Sequence, residues 1–299
     1  SMNLRIFLFA ISSIIASSLY AQQNQGLAYP TTKTRLGLRE IQVGTTMMYV
    51  DYAMNADTIG QEGTYIDLQR LEVGKDCAKY SSLFLKRSVE RTRVVGPNIA
   101  IGKKDGKNGT FWNDIQYTDL YFKDSQVTEY VSMPMHNTRN NSWFTEPCPP
   151  QQWTLHNDIM TVLEHRCQKA TCHWRGRDFV AWFAKDIPIR RGPWKFNGLP
   201  GLILKLYDTD RFYTFEAVNL KNSNEPMMLY DFKSMTPNEL KTVYDHKYIK
   251  STRERVRKLQ RALQVNFWKA TAGSTKFPDK PFEQLEKEMR ELCGLCRKA

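Results

Sequence analysis

The feature that most constrains this 299-residue chain lies in its middle. Phe179, Ala181 and Phe183 alternate with Val180, Trp182 and Ala184, the pattern of a strand covered on both faces. A second run follows, in which Leu202, Leu204 and Leu206 interleave with Ile203, Lys205 and Tyr207. Asp208-Thr209-Asp210 breaks it, and residues 211–219 resume a two-residue period rich in Phe, Tyr, Thr and Val. This periodicity predicts a hairpin inside a sheet. Between the runs stands Gly192-Pro193-Trp194-Lys195-Phe196-Asn197, then Gly198-Leu199-Pro200-Gly201-Leu202-Ile203. Pro200 and Gly201 suit the central positions of a type II turn, which would set Gly201 at positive φ.

The flanks predict the rest of the fold. Strands are expected within Thr45–Asp57 and at Tyr65-Ile66-Asp67-Leu68, and a hairpin within 99–111 around Asp105-Gly106 and Asn108-Gly109. Residues 22–45 read as a polar lead-in, and residues 132–152 as an exposed loop. The last third changes period. Thr236-Pro237-Asn238-Glu239 has the form of a capping box. Val256, Leu259, Leu263 and Phe267 recur at helical spacing, and a final helix starts near Pro278. The expected class is β-rich α+β: an antiparallel curved sheet or half-open barrel with helices in the C-terminal third. One domain is expected over 22–299, mainly β over 22–235 and mainly helical over 236–299.

Residues 1–21 read as a signal peptide. Arg5 precedes the apolar run Ile6–Ile11, and Ala21 supplies a small residue before Gln22. The run is interrupted by serines and is shorter than the roughly 20 residues of a membrane span. Gln22, where a lipid-anchored protein would have Cys, predicts a mature form with neither a lipid anchor nor a transmembrane span. The net charge of +12 falls to +11 once Arg5 leaves. That surplus suits anionic partners such as lipid head groups, acidic glycans or acidic protein patches; nucleic acid is not expected outside the cytoplasm.

The sequence around the central run extends its pattern. Cys167-Gln168-Lys169-Ala170 is followed by Arg175-Gly176-Arg177, then by Ala181-Trp182-Phe183 and Asp186-Ile187-Pro188-Ile189. Gly192-Pro193, the hexapeptide Gly198–Ile203, Asp208 and Phe215-Glu216-Ala217-Val218 come after. In this order the elements resemble the GLPGLI family of Bacteroidetes, named for that hexapeptide. The resemblance covers residues 163–220, and extends loosely to Leu71-x-Val73-Gly74 and Ser81-Ser82. Glu164-His165, Cys77 and Cys293-Gly294-Leu295-Cys296 depart from the family's pattern. The resemblance implies an exported protein with a structural turn at Gly198, Leu199, Pro200, Gly201, Leu202 and Ile203. Its strand pattern is similar to that of periplasmic half-barrel carriers of apolar ligands.

Chemistry-bearing residues remain. Cys77, Cys148, Cys167, Cys172, Cys293 and Cys296 are candidate disulfide cysteines in an oxidising compartment. Cys293 and Cys296 also have the spacing of a redox or metal pair. Cys167 and Cys172, with His165 and His173, offer a copper or zinc set. In a strand Cys167 and Cys172 would stand roughly 16 Å apart, too far to bridge each other, so partners at Cys293 and Cys296 are expected. Arg175, Arg177, Arg190 and Arg191 could clamp an anion. Trp182 and Trp194 read first as core and second as ligand platforms. No Gly-x-Ser-x-Gly elbow, His-Glu-x-x-His helix or phosphate-cradling loop is present.

The function read from these residues is a non-enzymatic cell-envelope protein that binds an anionic or apolar ligand or assists an outer-membrane partner. The alternatives are a thiol- or metal-handling protein and a hydrolase with an unrecognised site. Expressed with its leader, the chain should yield a mature protein that begins at Gln22; an intact mass that still includes residues 1–21 would contradict the leader.

Overall fold

The structure is a computed structural model that describes residues 35, 38–65, 67–95, 118–132, 141–234 and 248–259. Every strand belongs to one compact unit, Asn24–Ser251, and a short helix at 253–259 belongs to a second. The sheet-bearing unit is β-rich, as expected. In chain order its strands are β1 Glu40–Thr45, β2 Met48–Met54, β3 Asp67–Val73, β4 Cys77–Ser82, β5 Thr118–Lys123, β6 Gln126–Val131 and β7 Ser142–Pro147. β8 Thr154–Val162, β9 His165–Trp174, β10 Arg177–Ala184, β11 Leu202–Asp208, β12 Thr214–Asn222, β13 Pro226–Tyr230 and β14 Ile249–Lys250 follow. One helix, α1 (Leu83–Val95), follows β4 directly.

Twelve strands form one sheet in the order β14-β7-β6-β5-β4-β3-β2-β12-β11-β10-β9-β8, and β1 pairs with β13 in a second, two-stranded sheet. All pairings are antiparallel except β14 with β7. The large sheet is two meanders joined along β2 and β12.

β7 and β8 are consecutive in sequence but lie near opposite ends of this sheet, ten strand spacings apart. Laid flat, that separation would be about 48 Å at ~4.8 Å per strand. The connection Cys148–Trp153 can reach at most about 25 Å. The sheet therefore has to curl until its two ends approach, and it does so without closing. Strand irregularities between Trp182 and Phe183, Ala217 and Asn219, and Leu155 and Ile159 add local bend and twist.

The curl encloses the main core. Tyr52, Tyr80, Phe122, Phe183, Leu202, Ile203, Leu204 and Leu206 are buried in it, from both meanders. α1 covers the region of β2 and β3 through Phe84, Leu85 and Val89, packed with Ala53 and Leu68.

Two sequence expectations about loops change. Residues 132–152 contain β7, and residues 22–45 contain β1. Both are short strands, EIQVGT and SWFTEP, decided by pairing with neighbours more than by their own propensity. The capping box at Thr236, the final helix near Pro278 and the turn dipeptides of 99–111 lie outside the described residues.

The turn at the hexapeptide also differs from expectation. The residue at positive φ is Gly198, with φ 98, and Gly201 is not in the left-handed region. Gly201 is required for another reason. A Cβ there would overlap the carbonyl of Ala184, 2.7 Å from its carbon, and stand 3.1 Å from Cα of Lys185. The hexapeptide passes directly over the end of β10, and only a residue without a side chain fits. Gly201→Ala should therefore already be harmful, by about 1–3 kcal/mol, although alanine has no difficulty with the observed backbone region. Thermal melting checks this: an alanine variant as stable as the parent would remove the close approach as the reason for the glycine.

Candidate functional site

The connection between β10 and β11, residues 185–201, lies against the opening of the curled sheet, and the β7–β8 strap at 148–153 meets it there. Asn197 N–H donates to Gln151 Oε1 (2.9 Å), and Trp153 Nε1 donates to Asn197 O (2.8 Å). Gln151 Nε2 donates to Lys195 O (3.3 Å). Gly198 packs so tightly on Pro150 that a Cβ would overlap its ring. Arg190 Nη2 caps Gly198 O (2.8 Å), and Tyr52 donates to Ile203 O (2.7 Å) from the far meander. Phe196 seals the contact, edge-to-face with Phe179 at 4.7 Å and with Trp174 at 4.8 Å.

Lys195 fixes this loop electrostatically. Trp194 stands at φ 55, a region costly for a bulky residue, and Lys195 follows it into the interior with 2 % side-chain exposure. Its ammonium pairs with Glu129 of β6, which is wholly buried, and with Glu146 of β7 at 2.6 Å. Arg175, in the β9–β10 turn, donates to the same Glu146 at 3.2 Å and stacks on Trp174. Burial alone would raise the Glu146 pKa; the bonds and charges of Lys195 and then Arg175 outweigh it and hold the carboxyl below its ordinary value. A buried ion pair is retained at such a place because both partners are satisfied. Sequence reading missed Lys195, Glu129 and Glu146; their signal was a lysine inside an otherwise apolar Gly/Pro-rich segment.

Of the four residues expected to contact a ligand, Arg175 and Trp194 stand at the same Lys195–Glu146 network, and Arg177 and Trp182 have other surroundings. Arg175 serves the loop network. Arg177 pairs with buried Asp208 at 3.1 Å and lies over Phe212. Trp182 is buried in β10, and among the described residues its Nε1 has no hydrogen-bond partner. Trp194 is half-buried beside Lys195.

Nor do the thiols and histidines assemble a metal set. His165 Nδ1 turns to Asp186 (2.6 Å) and His173 Nδ1 to Asp178 (2.7 Å). Among the described residues no three His, Cys, Asp or Glu side chains could hold a metal ion. Cys77, Cys148, Cys167 and Cys172 are free thiols. Cys167 and Cys172 lie on the uninterrupted strand β9, five residues apart, so they cannot bridge each other. Burial pushes their pKa values up to about 11 and about 12. They sit in the core as small apolar side chains, and their expected partners Cys293 and Cys296 lie outside the described residues.

A further space lies on the other face of the large sheet. Between the β1–β13 sheet and strands β5 to β7 runs a cleft of about 330 Å³. Tyr121, Tyr130, Tyr230 and Phe232 line it, with the cations Lys123 and Lys233 and the acids Asp124 and Asp231. Tyr130 stacks on Phe232 at 4.6 Å, and Lys233 lies 4.0 Å from the Trp143 ring centre. Asp231 is held by Arg39 at 2.9 Å. Burial pushes the Tyr121 and Tyr130 phenols up to about 12, so both remain hydrogen-bond donors.

Residues 173–205, from the end of β9 into β11, match the model of a family described as a protein of unknown function (Porph_ging), a Bacteroidetes-type family. The match contains the whole hexapeptide loop. No curated protein matches the chain. Two structures of PNGF-II, in different space groups, are similar at TM-scores of 0.43 and 0.44 with 12% identity; the match covers 72% and 73% of this chain and 33% of theirs. The chain thus spans about a third of the length of the structures it matches. Among the described residues no helix is long and apolar enough to cross a membrane.

The loop network predicts an acid limb in stability. Because the folded Glu146 carboxyl is depressed, its contribution is complete above the ordinary value of 4.5 and is lost as pH falls through the lower folded value. Glu146→Gln should flatten the fall in melting temperature over that range; an unchanged profile would remove the carboxylate from the account.

Proposed function

We propose that this is an exported, non-enzymatic cell-envelope protein of the GLPGLI family that binds an anionic, apolar-bodied ligand in the cleft between its two sheets. The observation that carries the reading is the cleft itself. Its volume lies at the lower end of small-molecule sites, which pair aromatic walls with a few polar groups. Tyr121, Tyr130, Tyr230 and Phe232 offer ring faces and edges to an apolar body. Lys123 and Lys233 supply the charge for an anionic group, in keeping with the basic balance of the chain. The hexapeptide loop takes part in holding the sheet, which is why the most recognisable motif carries no reactive group. Export rests on the leader at 1–21, and membership of the family on the residues from Cys167 to Val218.

An anionic aromatic probe, anilinonaphthalene sulfonate, tests the site in the mature chain. Its fluorescence should rise on binding, and Lys123→Glu with Lys233→Glu should weaken that binding by roughly tenfold, the range of one or two charge-assisted contacts. Equal affinity in the parent and the double variant, with melting temperature preserved, would remove the cleft from the proposal.

A further inference from the structure

Among the described residues, Arg191 is a largely covered arginine without a carboxylate partner. Other arginines that are largely covered have a carboxylate: Arg35 has Asp119, Arg70 has Asp51, Arg175 has Glu146 and Arg177 has Asp208. Arg191 makes no ion pair or side-chain hydrogen bond among the described residues. Its guanidinium lies over the ring of Phe122 at 4.6 Å. Its backbone is fixed: the Arg191 carbonyl accepts from Ile203 N–H at 2.9 Å, and the residue bridges to Asn197 across the loop.

This geometry has a chemical consequence. A phenyl ring attracts the guanidinium charge but offers no lone pair to its five N–H donors. A cation–π contact of this kind does not saturate them. Burial pulls the Arg191 guanidinium below its ordinary value, and the groups acting on it are the thiols of Cys148 and Cys77. Cys148 Sγ lies 3.7 Å from Lys195 O, beside the Lys195 network. Glu146 is shared by Lys195 and Arg175, and Glu129 is used by Lys195. Among the described residues both carboxylates are thus engaged by other cations, and Arg191 takes no share of either. Arg191 is only part-covered, so solvent reaches it.

We infer that Arg191 is the anchor of an oxyanion site, for a carboxylate or phosphate group, at the opening of the curled sheet where the 185–201 loop meets the 148–153 strap. The planar fork of a guanidinium accepts two oxygens of either group side by side. The site is distinct from the cleft: Tyr121 faces the cleft and its neighbour Phe122 faces Arg191, on opposite faces of β5. It therefore stands or falls independently of the reading above.

Titration calorimetry on the mature chain, with inorganic phosphate in one arm and acetate in the other at matched ionic strength, tests it. At least one anion should bind with saturation by the millimolar range, and the arm that responds identifies the group. Arg191→Gln should lose roughly 10–100-fold in affinity, and Arg191→Lys should retain part of it. The cleft variant, Lys123→Glu with Lys233→Glu, should bind the anion as the parent does. In chloride alone, Arg191→Gln should melt no lower than the parent, because it removes an unpaired charge. Absence of binding by both anions to the parent overturns the inference whatever the variants do. A large loss of melting temperature in Arg191→Gln overturns it too, since the residue would then be a packing element.

Discussion

Six residues tie together strands that stand ten spacings apart in one sheet, and the rest of the molecule follows from that tether. The strap at 148–153 is too short for a flat sheet, so the two meanders must curl towards each other. The curl leaves an opening, and backbone and charge there must be satisfied. The 185–201 loop does both, through Asn197 against Gln151 and Trp153, and through Lys195 against Glu129 and Glu146. Removing one member of a buried pair of this kind costs about 3–5 kcal/mol, because the other is left charged in the interior. The hexapeptide is the part of this loop that returns the chain to β11 over the Ala184 carbonyl.

The central strands were legible because their periodicity is strong. Residues 179–184 and 202–207 lie within β10 and β11, and the resumed alternation falls in β12 from Thr214 onward. The hairpins beside them were less so. Leu163-Glu164 and Asp124-Ser125 make two-residue turns with every φ positive, yet leucine and glutamate carry no turn preference. Pairing of the long flanking strands imposes the conformation. α1 was missed because Leu83–Val95 carries several basic residues and a weak apolar stripe; it is placed by Phe84 and Val89 against Ala53 and Leu68. Gly201 was recognised as necessary and given the wrong reason, since a one-dimensional reading sees turn chemistry but not a carbonyl from 17 residues earlier.

The candidate sites show the same limit. Arg177 and Trp182 lie five positions apart on β10 and so point to opposite faces, whereas Arg175 stands in a turn and Trp194 in a loop. The cleft draws instead on β1, β5, β6 and β13, segments separated by up to about two hundred positions. β5 links the two sides. Tyr121 belongs to the cleft and Phe122 to the interior, so one strand passes between two environments of opposite orientation.

The order of the strands also bears on how the chain reaches its fold. Neighbours from β2 to β7, and from β8 to β12, are sequence-adjacent, so each meander can form from local pairings, the longest being β4 with β5 across residues 83–117. The seam between β2 and β12 is different, because Tyr52 pairs with Ala217 and everything between them must be looped out. Closing so long a loop carries an entropic cost before any contact offsets it. The two halves therefore have a path to local structure that is independent of the seam, while the strap joining β7 to β8 keeps their far ends within reach of each other. Joining the halves is the slow, nonlocal event, and the exposed edges of β2 and β12 are what a nascent chain must shield until it happens.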